Sequence, residues 1–221
     1  MREIILDTET TGFDPEAGHR IVEVGCLELQ NHIPTGVTYQ CYVNPERDMP
    51  EDARAVHGLS AEFLAQHKLF AEIADELLAF IGDAPLVIHN ASFDVKFLEA
   101  ELKRCGRAGL GERGIVDTLA LARRRFPGAQ ASLDALCRRF VIDNSSRTFH
   151  GALLDCELLA EVYLELCGGR QATFELTKSG AAGGALLQRV FREPRPHAPS
   201  AEEAAAHAVM LLRLKSPLWQ E

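Results

Sequence analysis

Four acidic residues of this 221-residue chain stand where carboxylates are costly. Asp7 and Glu9 lie two apart at the end of the run Ile4-Ile5-Leu6, so a strand there points both to one face. Asp94 follows the apolar run Leu86-Val87-Ile88 and enters a helix in line with Phe97, Leu98 and Glu101/Leu102. Asp155 shares a helical stripe with Leu158, Leu159, Val162 and Leu166. At about 100° per residue it lies roughly 200° from Glu157, which with Glu161 and Glu165 forms the wet side of that helix. Any one of these acids alone reads equally as a helix cap or half of a structural ion pair. Four of them set against apolar sequence, with no matching set of Lys or Arg, call for another source of positive charge. Divalent metal ions meet that need, and hard oxygen ligands favour Mg²⁺ or Mn²⁺ over zinc. Two such ions about 3.5–4 Å apart activate a water and stabilise the leaving oxygen in phosphodiester cleavage. His150, five residues before Asp155 at the entry to its helix, is the candidate to take the proton near neutral pH.

The elements that must hold these residues alternate along the chain. Short β-rich runs cover 3–8, 19–29 and 37–43, the last with Thr38, Tyr39 and Tyr42. Phe70, Ile73, Leu77, Phe80 and Ile81 predict a helix over 70–81. A buried strand at 86–88 leads to a helix over 92–105. A strand remnant at 115–116 precedes helices near 118–126 and 132–139, and the last long helix covers 151–166. Three strands joined by hairpin-length loops, then strand–helix alternation, give an α/β fold with a mixed sheet covered by helices.

Composition divides the chain. Residues 168–221 hold seven Lys/Arg and five Asp/Glu, which leaves −11 of the overall −9 on residues 1–167. Gly168-Gly169 stops the last helix, and Lys178 to Gly184 is a small-residue tract that packs no core. Prolines 194, 196 and 199 follow, and Ser200 with Glu203 starts an Ala-rich helix to about Leu214. The expected organisation is a catalytic domain at 1–168, a flexible linker at 169–184 and a partner-binding segment at 185–221. No run approaches ~18 apolar residues, which argues against a membrane span. The early acidic residues do not suit a secretion signal, and six scattered cysteines without a C-x-x-C pair suit reduced thiols, so a cytoplasmic location is expected.

Asp7-Thr8-Glu9-Thr10-Thr11-Gly12, His89-Asn90-Ala91-Ser92-Phe93-Asp94 and His150-Gly151-Ala152-Leu153-Leu154-Asp155 occur in that order. Together they resemble the three motifs of the DEDDh 3′–5′ exonucleases. Val56-His57-Gly58-Leu59 is similar to a substrate-side motif of that family. Ser132 to Leu136, taken with 150–155, is similar to its branch of bacterial polymerase proofreading subunits. The resemblance implies a ribonuclease-H-like fold and hydrolysis of a single-stranded 3′ end of DNA, releasing nucleoside monophosphates. It implies two Mg²⁺ or Mn²⁺ ions, with Asp7 bridging both, Glu9 and Asp155 completing one site and Asp94 holding the second, partly through water. His150 would orient and deprotonate the attacking water. Substrate contacts are implied at Asp7, Glu9, Thr10, Asp52, His57, Phe93 and Asp155. Asp52 stands where the pattern has a glutamate, a shorter side chain and a departure. Thr10 and Gly12 would let the backbone approach the terminal nucleotide. Asp117 reads as a helix cap, and His89 as a support for Asp94 from behind. Arg123 to Arg125, with Arg138 and Arg139, read as phosphate contacts or as solvated helix faces.

A domain at −11 neutralises few phosphates and should bind DNA weakly by itself. Gln171 followed by Phe174 and Leu176 is similar to the short segments that dock on bacterial sliding clamps. The resemblance also implies that 185–221, with Trp219 as an aromatic anchor, docks on the polymerase catalytic (alpha) subunit. Tethering would then replace intrinsic DNA affinity. Two other readings remain. A stand-alone exoribonuclease of the same family would not need the linker and tail. A non-catalytic polymerase–clamp bridge should have lost a carboxylate or the histidine.

Overall fold

The computed structural model describes residues 1–145, 149–169 and 198–213; Gln171, Phe174, Leu176 and Trp219 lie outside these. The chain divides into two compact units, Met1–Phe174 and Glu175–Glu221. In the second, the helix at Ala201–Arg213 starts at Ser200, whose Oγ accepts the Glu203 N–H at 3.2 Å while Glu203 accepts the Ser200 N–H at 2.8 Å.

In the first unit, β1 (Arg2–Thr10) pairs antiparallel with β2 (Ile21–Gln30), and β2 with β3 (Ile33–Tyr42). On its other side β1 pairs parallel with β4 (Leu86–Ile88), and β4 with β5 (Ile115–Asp117), giving the order β3-β2-β1-β4-β5. This mixed five-stranded sheet is flanked by helices, the class that the sequence pattern indicates. Alternation splits its residues between two cores. Ile4, Leu6, Leu86 and Ile88 face α3 (Phe70–Ile81) and α4 (Ala91–Arg104). Ile5 and Val87 face α5 (Thr118–Arg125), α6 (Leu133–Phe140) and α7 (Ala152–Leu166).

The helix at 70–81 and the strand at 86–88 form where the apolar spacing puts them. Two further helices, at Glu51–His57 and Ala61–Leu64, are too short for a periodic signal and were not anticipated. Asp117 does cap α5, its Oδ1 accepting from Leu119 N at 2.9 Å.

The odd-numbered residues of β1 place α7. Glu3, Ile5, Asp7 and Glu9 point to one face of the sheet, and α7 runs along it. At the far end, Tyr163 Oη donates to Glu3 Oε1 at 2.9 Å. From Glu3 to Asp7 a strand rises roughly 13 Å, and from Tyr163 back to Asp155 a helix rises roughly 12 Å. The matched rises bring Asp155 to the carboxyl end of β1. Asp155, Leu158, Leu159 and Val162 are all buried on the inward stripe.

Candidate active site

The carboxyl end of β1 is where the acids meet. Glu9, on β1, is 8% exposed, and Asp155, in the first turn of α7, is 5% exposed. His150 precedes that turn, half in solvent, with its Nδ1 3.4 Å from Asp155 Oδ2. One ligand atom from each of Glu9, His150 and Asp155 lies within 4.8 Å of the others. The His150 backbone N–H donates to Val56 O at 3.0 Å, which ties this loop to the helix at 51–57. Gly58, at φ +76°, ends that helix, and a side chain there would press on the Phe149 ring at 3.2 Å.

Asp94 arrives from the opposite face of the sheet. It is buried in the first turn of α4, where its Oδ1 accepts from Thr8 N at 3.0 Å and Thr8 Oγ1 at 2.7 Å. Burial pushes its carboxyl up to about 7, against the Thr8 hydrogen bonds that oppose the shift. The Cys156 thiol, next to Asp155 in α7, is buried. Burial raises its pKa first, and Asp7, Asp155 and Asp94 all add to the rise.

Other buried acids show what compensation looks like here. Glu101 takes Arg20 in a two-point contact at 2.6 and 3.0 Å, with Arg104 at 3.2 Å. Glu3 meets His32 at 2.8 Å as well as Tyr163. Asp155 instead has His150 beside it, and Asp94 has the Thr8 amide and hydroxyl. The carboxylates of Glu9 and Asp155, with the His150 ring, form a group that suits a divalent cation.

Beside the carboxylates opens a cavity of about 380 Å³. Glu9, Thr10, Asp52, His57 and Phe93 all line it. His57 is buried, and its Nδ1 accepts the Leu59 N–H at 3.1 Å; burial holds its imidazole below the ordinary value. Phe93 leans on Phe97 with ring centroids 5.0 Å apart. Asp52 is exposed at the rim.

Several residues of the site were missed in the sequence. Phe13, 88% exposed, and His19 also line the cavity. A Cβ at Gly12 would lie 2.4 Å from the His19 ring, which would have to shift to admit it. His89 does not reach for Asp94; its Nδ1 pairs with Thr118 Oγ1 at 2.9 Å. Glu23 and Gly25 on β2 support the start of α7. The sequence signal belongs to Gly25 alone, a glycine inside an apolar strand, which marks a close backbone approach.

Comparison with known proteins agrees with this fold. The family described as Exonuclease (RNase_T) matches residues 4–163. A Rickettsia felis protein named DNA polymerase III subunit epsilon is 49% identical over 219 residues, covering 96% of each chain. The Escherichia coli protein of the same name is 44% identical over 224 residues, covering 95% of this chain and 92% of that one. Among solved structures, exonuclease X in complex with 5′ overhanging duplex DNA is similar at a TM-score of 0.57 and 25% identity, over 74% of this chain and 89% of that one. The nuclease domain of 3′hExo, a DEDDh family member bound to rAMP, reaches 0.66 at 18% identity, over 75% and 91%.

Proposed function

The chain belongs to the exonuclease family, whose DEDDh members depend on divalent metal, and on that premise we propose that it is the 3′–5′ proofreading exonuclease of a bacterial replicative DNA polymerase. The observation that carries this reading is the meeting of Glu9, His150 and Asp155 within 4.8 Å beside a nucleotide-sized cavity. Relatives named DNA polymerase III subunit epsilon, matched over 92–96% of their own length, supply the polymerase context.

In this reading Asp7, Glu9, Asp94 and Asp155 hold two Mg²⁺ or Mn²⁺ ions. When bound, these supply Lewis-acid stabilisation of the phosphoryl and leaving oxygens. The protein does the rest. Thr10, His57 and Phe93 seat the terminal nucleotide, Asp52 touches it from the rim, and the exposed Phe13 ring offers a face for a base to stack on. His150, with one edge toward Asp155 and the other toward solvent, orients the attacking water and takes its proton. Residues 185–221 bind the polymerase alpha subunit. Gln171, Phe174 and Leu176 bind the sliding clamp.

The test is Mg²⁺-dependent release of mononucleotides from a mispaired 3′ end. Asp7→Ala and Asp155→Ala should each lose about three orders of magnitude in rate, the several kcal/mol a Lewis-acid ion supplies, with the fold retained by circular dichroism. Full activity in either variant defeats the assignment.

A further inference from the structure

The start of α7 is held by the sheet rather than by its own sequence. Gly151 occupies the N-cap position and offers no side-chain acceptor, so the first N–H groups of the helix must be satisfied from elsewhere. Glu23 Oε2, on β2, accepts the Ala152 N–H at 3.2 Å, while Oε1 accepts Gln40 Nε2 at 2.8 Å. The Glu23 side chain is buried. A carboxylate at a helix N-terminus also meets the favourable end of the helix dipole. Two residues on, on the same face, Gly25 makes room for the helix. A Cβ there would lie 2.4 Å from the Ala152 carbonyl carbon and 2.5 Å from Leu153 N, and Cys156 Sγ donates to Gly25 O at 3.3 Å. Glu23 pairs across the ladder with Glu9, and Gly25 with Asp7, so this seat stands opposite the acids of the site.

We propose that Glu23 is a positioning residue for the nuclease reaction: by accepting the Ala152 N–H it fixes the first turn of α7, and through that turn the reach of His150 and Asp155 toward Glu9. The inference rests on the proposed exonuclease function. Global stability does not hang on this contact, because the far end of α7 is tied separately by Tyr163 to Glu3 and packed by Leu158, Leu159 and Val162. Losing Glu23 therefore frees one helical turn, the turn that carries Asp155, and leaves the remainder of the helix in place.

The experiment compares full-length wild type, Glu23→Ala and Glu23→Gln. Glutamine keeps an oxygen for the Ala152 N–H and removes the charge. Loss of such a supporting contact should lower kcat of Glu23→Ala by about 10- to 100-fold. KM for an oligonucleotide should stay within about twofold, because the cavity that seats it is not walled by α7. Calorimetry with Mn²⁺ and no DNA should show about tenfold weaker binding in Glu23→Ala, recovered to within about threefold in Glu23→Gln. Wild-type kcat and Mn²⁺ affinity in Glu23→Ala would overturn the proposal. So would equal losses in both variants, which would make charge rather than the hydrogen bond responsible, or a kcat loss no larger than the unfolded fraction seen by circular dichroism. A wild-type chain that releases no mononucleotide defeats the proposed function instead, and the Mn²⁺ titrations still judge Glu23.

Discussion

At the scale of single residues, the buried carboxylates among the described residues differ in what meets them: some have a cation of their own, Glu23 has neutral donors, and others belong to the cluster at the end of β1. Glu101, between Arg20 and Arg104, is the first kind, and Asp155 the last. A charge set among other acids costs folding energy until an ion joins it. Metal-free wild type should therefore gain stability on adding Mn²⁺, about 2.7 kcal/mol at a concentration a hundredfold above Kd. Asp155→Asn should lose most of that gain without a lower metal-free Tm, and a thermal melt with and without the ion reads both. His57 gives a second residue-scale expectation. Burial holds its folded-state pKa below the ordinary value of about 6.5, so the unfolded chain binds that proton more readily. The stability linked to it is present above that value and lost as pH falls through the folded pKa. Tm should drop on acidification below about pH 6.5, and His57→Asn, which keeps an acceptor for Leu59 N, should have the shallower slope. Parallel slopes would remove His57 from the account.

At the scale of elements, legibility followed periodicity. The helix at 70–81 repeats apolar residues over three turns and could be read directly. The helix at 51–57 spans seven residues, starts at Pro50 without a side-chain cap and buries only His57, so nothing periodic announced it. It nevertheless forms a wall of the cavity beside Glu9. The acids of the site were legible one by one, because a carboxylate on an apolar stripe is conspicuous. The supports of the site were not, because Glu23 looks like any alternating strand residue until α7 is laid across β2. The same holds for the tie between α4 and the start of β2. Arg20 grips Glu101, a side chain 1% exposed, and only the fold brings these two together. Arg20→Ala should cost about 3 kcal/mol, since it strips a buried acid of its two-point partner and leaves Arg104 alone. Urea denaturation should show it as a lower midpoint with unchanged slope. A shift below about 0.5 kcal/mol would mean that Arg104 suffices.

At the scale of the whole molecule, charge and connectivity argue for borrowed affinity. Residues 1–167 carry −11, so the nuclease domain can neutralise few phosphates beyond the one it cleaves. An enzyme of this kind gains little from tighter DNA contacts of its own and much from attachment to a protein that already holds the primer. Attachment converts an encounter between molecules into one within a complex, at an effective concentration of order millimolar for a short flexible tether. The unit Met1–Phe174 contains every proposed catalytic and substrate-contacting residue, and Glu175–Glu221 contains none. Deleting 185–221 should therefore leave hydrolysis of a free single strand within about twofold of the full chain. It should abolish co-purification with the polymerase, and removal of mispaired ends in the presence of polymerase should then fall toward the rate of the untethered enzyme. Raising salt separates the two contributions. Free-strand hydrolysis should show the shallow salt slope of few phosphate contacts in both forms, whereas a deletion that weakened direct DNA binding would change that slope. Undiminished co-purification of the shortened chain would place the polymerase contact on the nuclease domain instead.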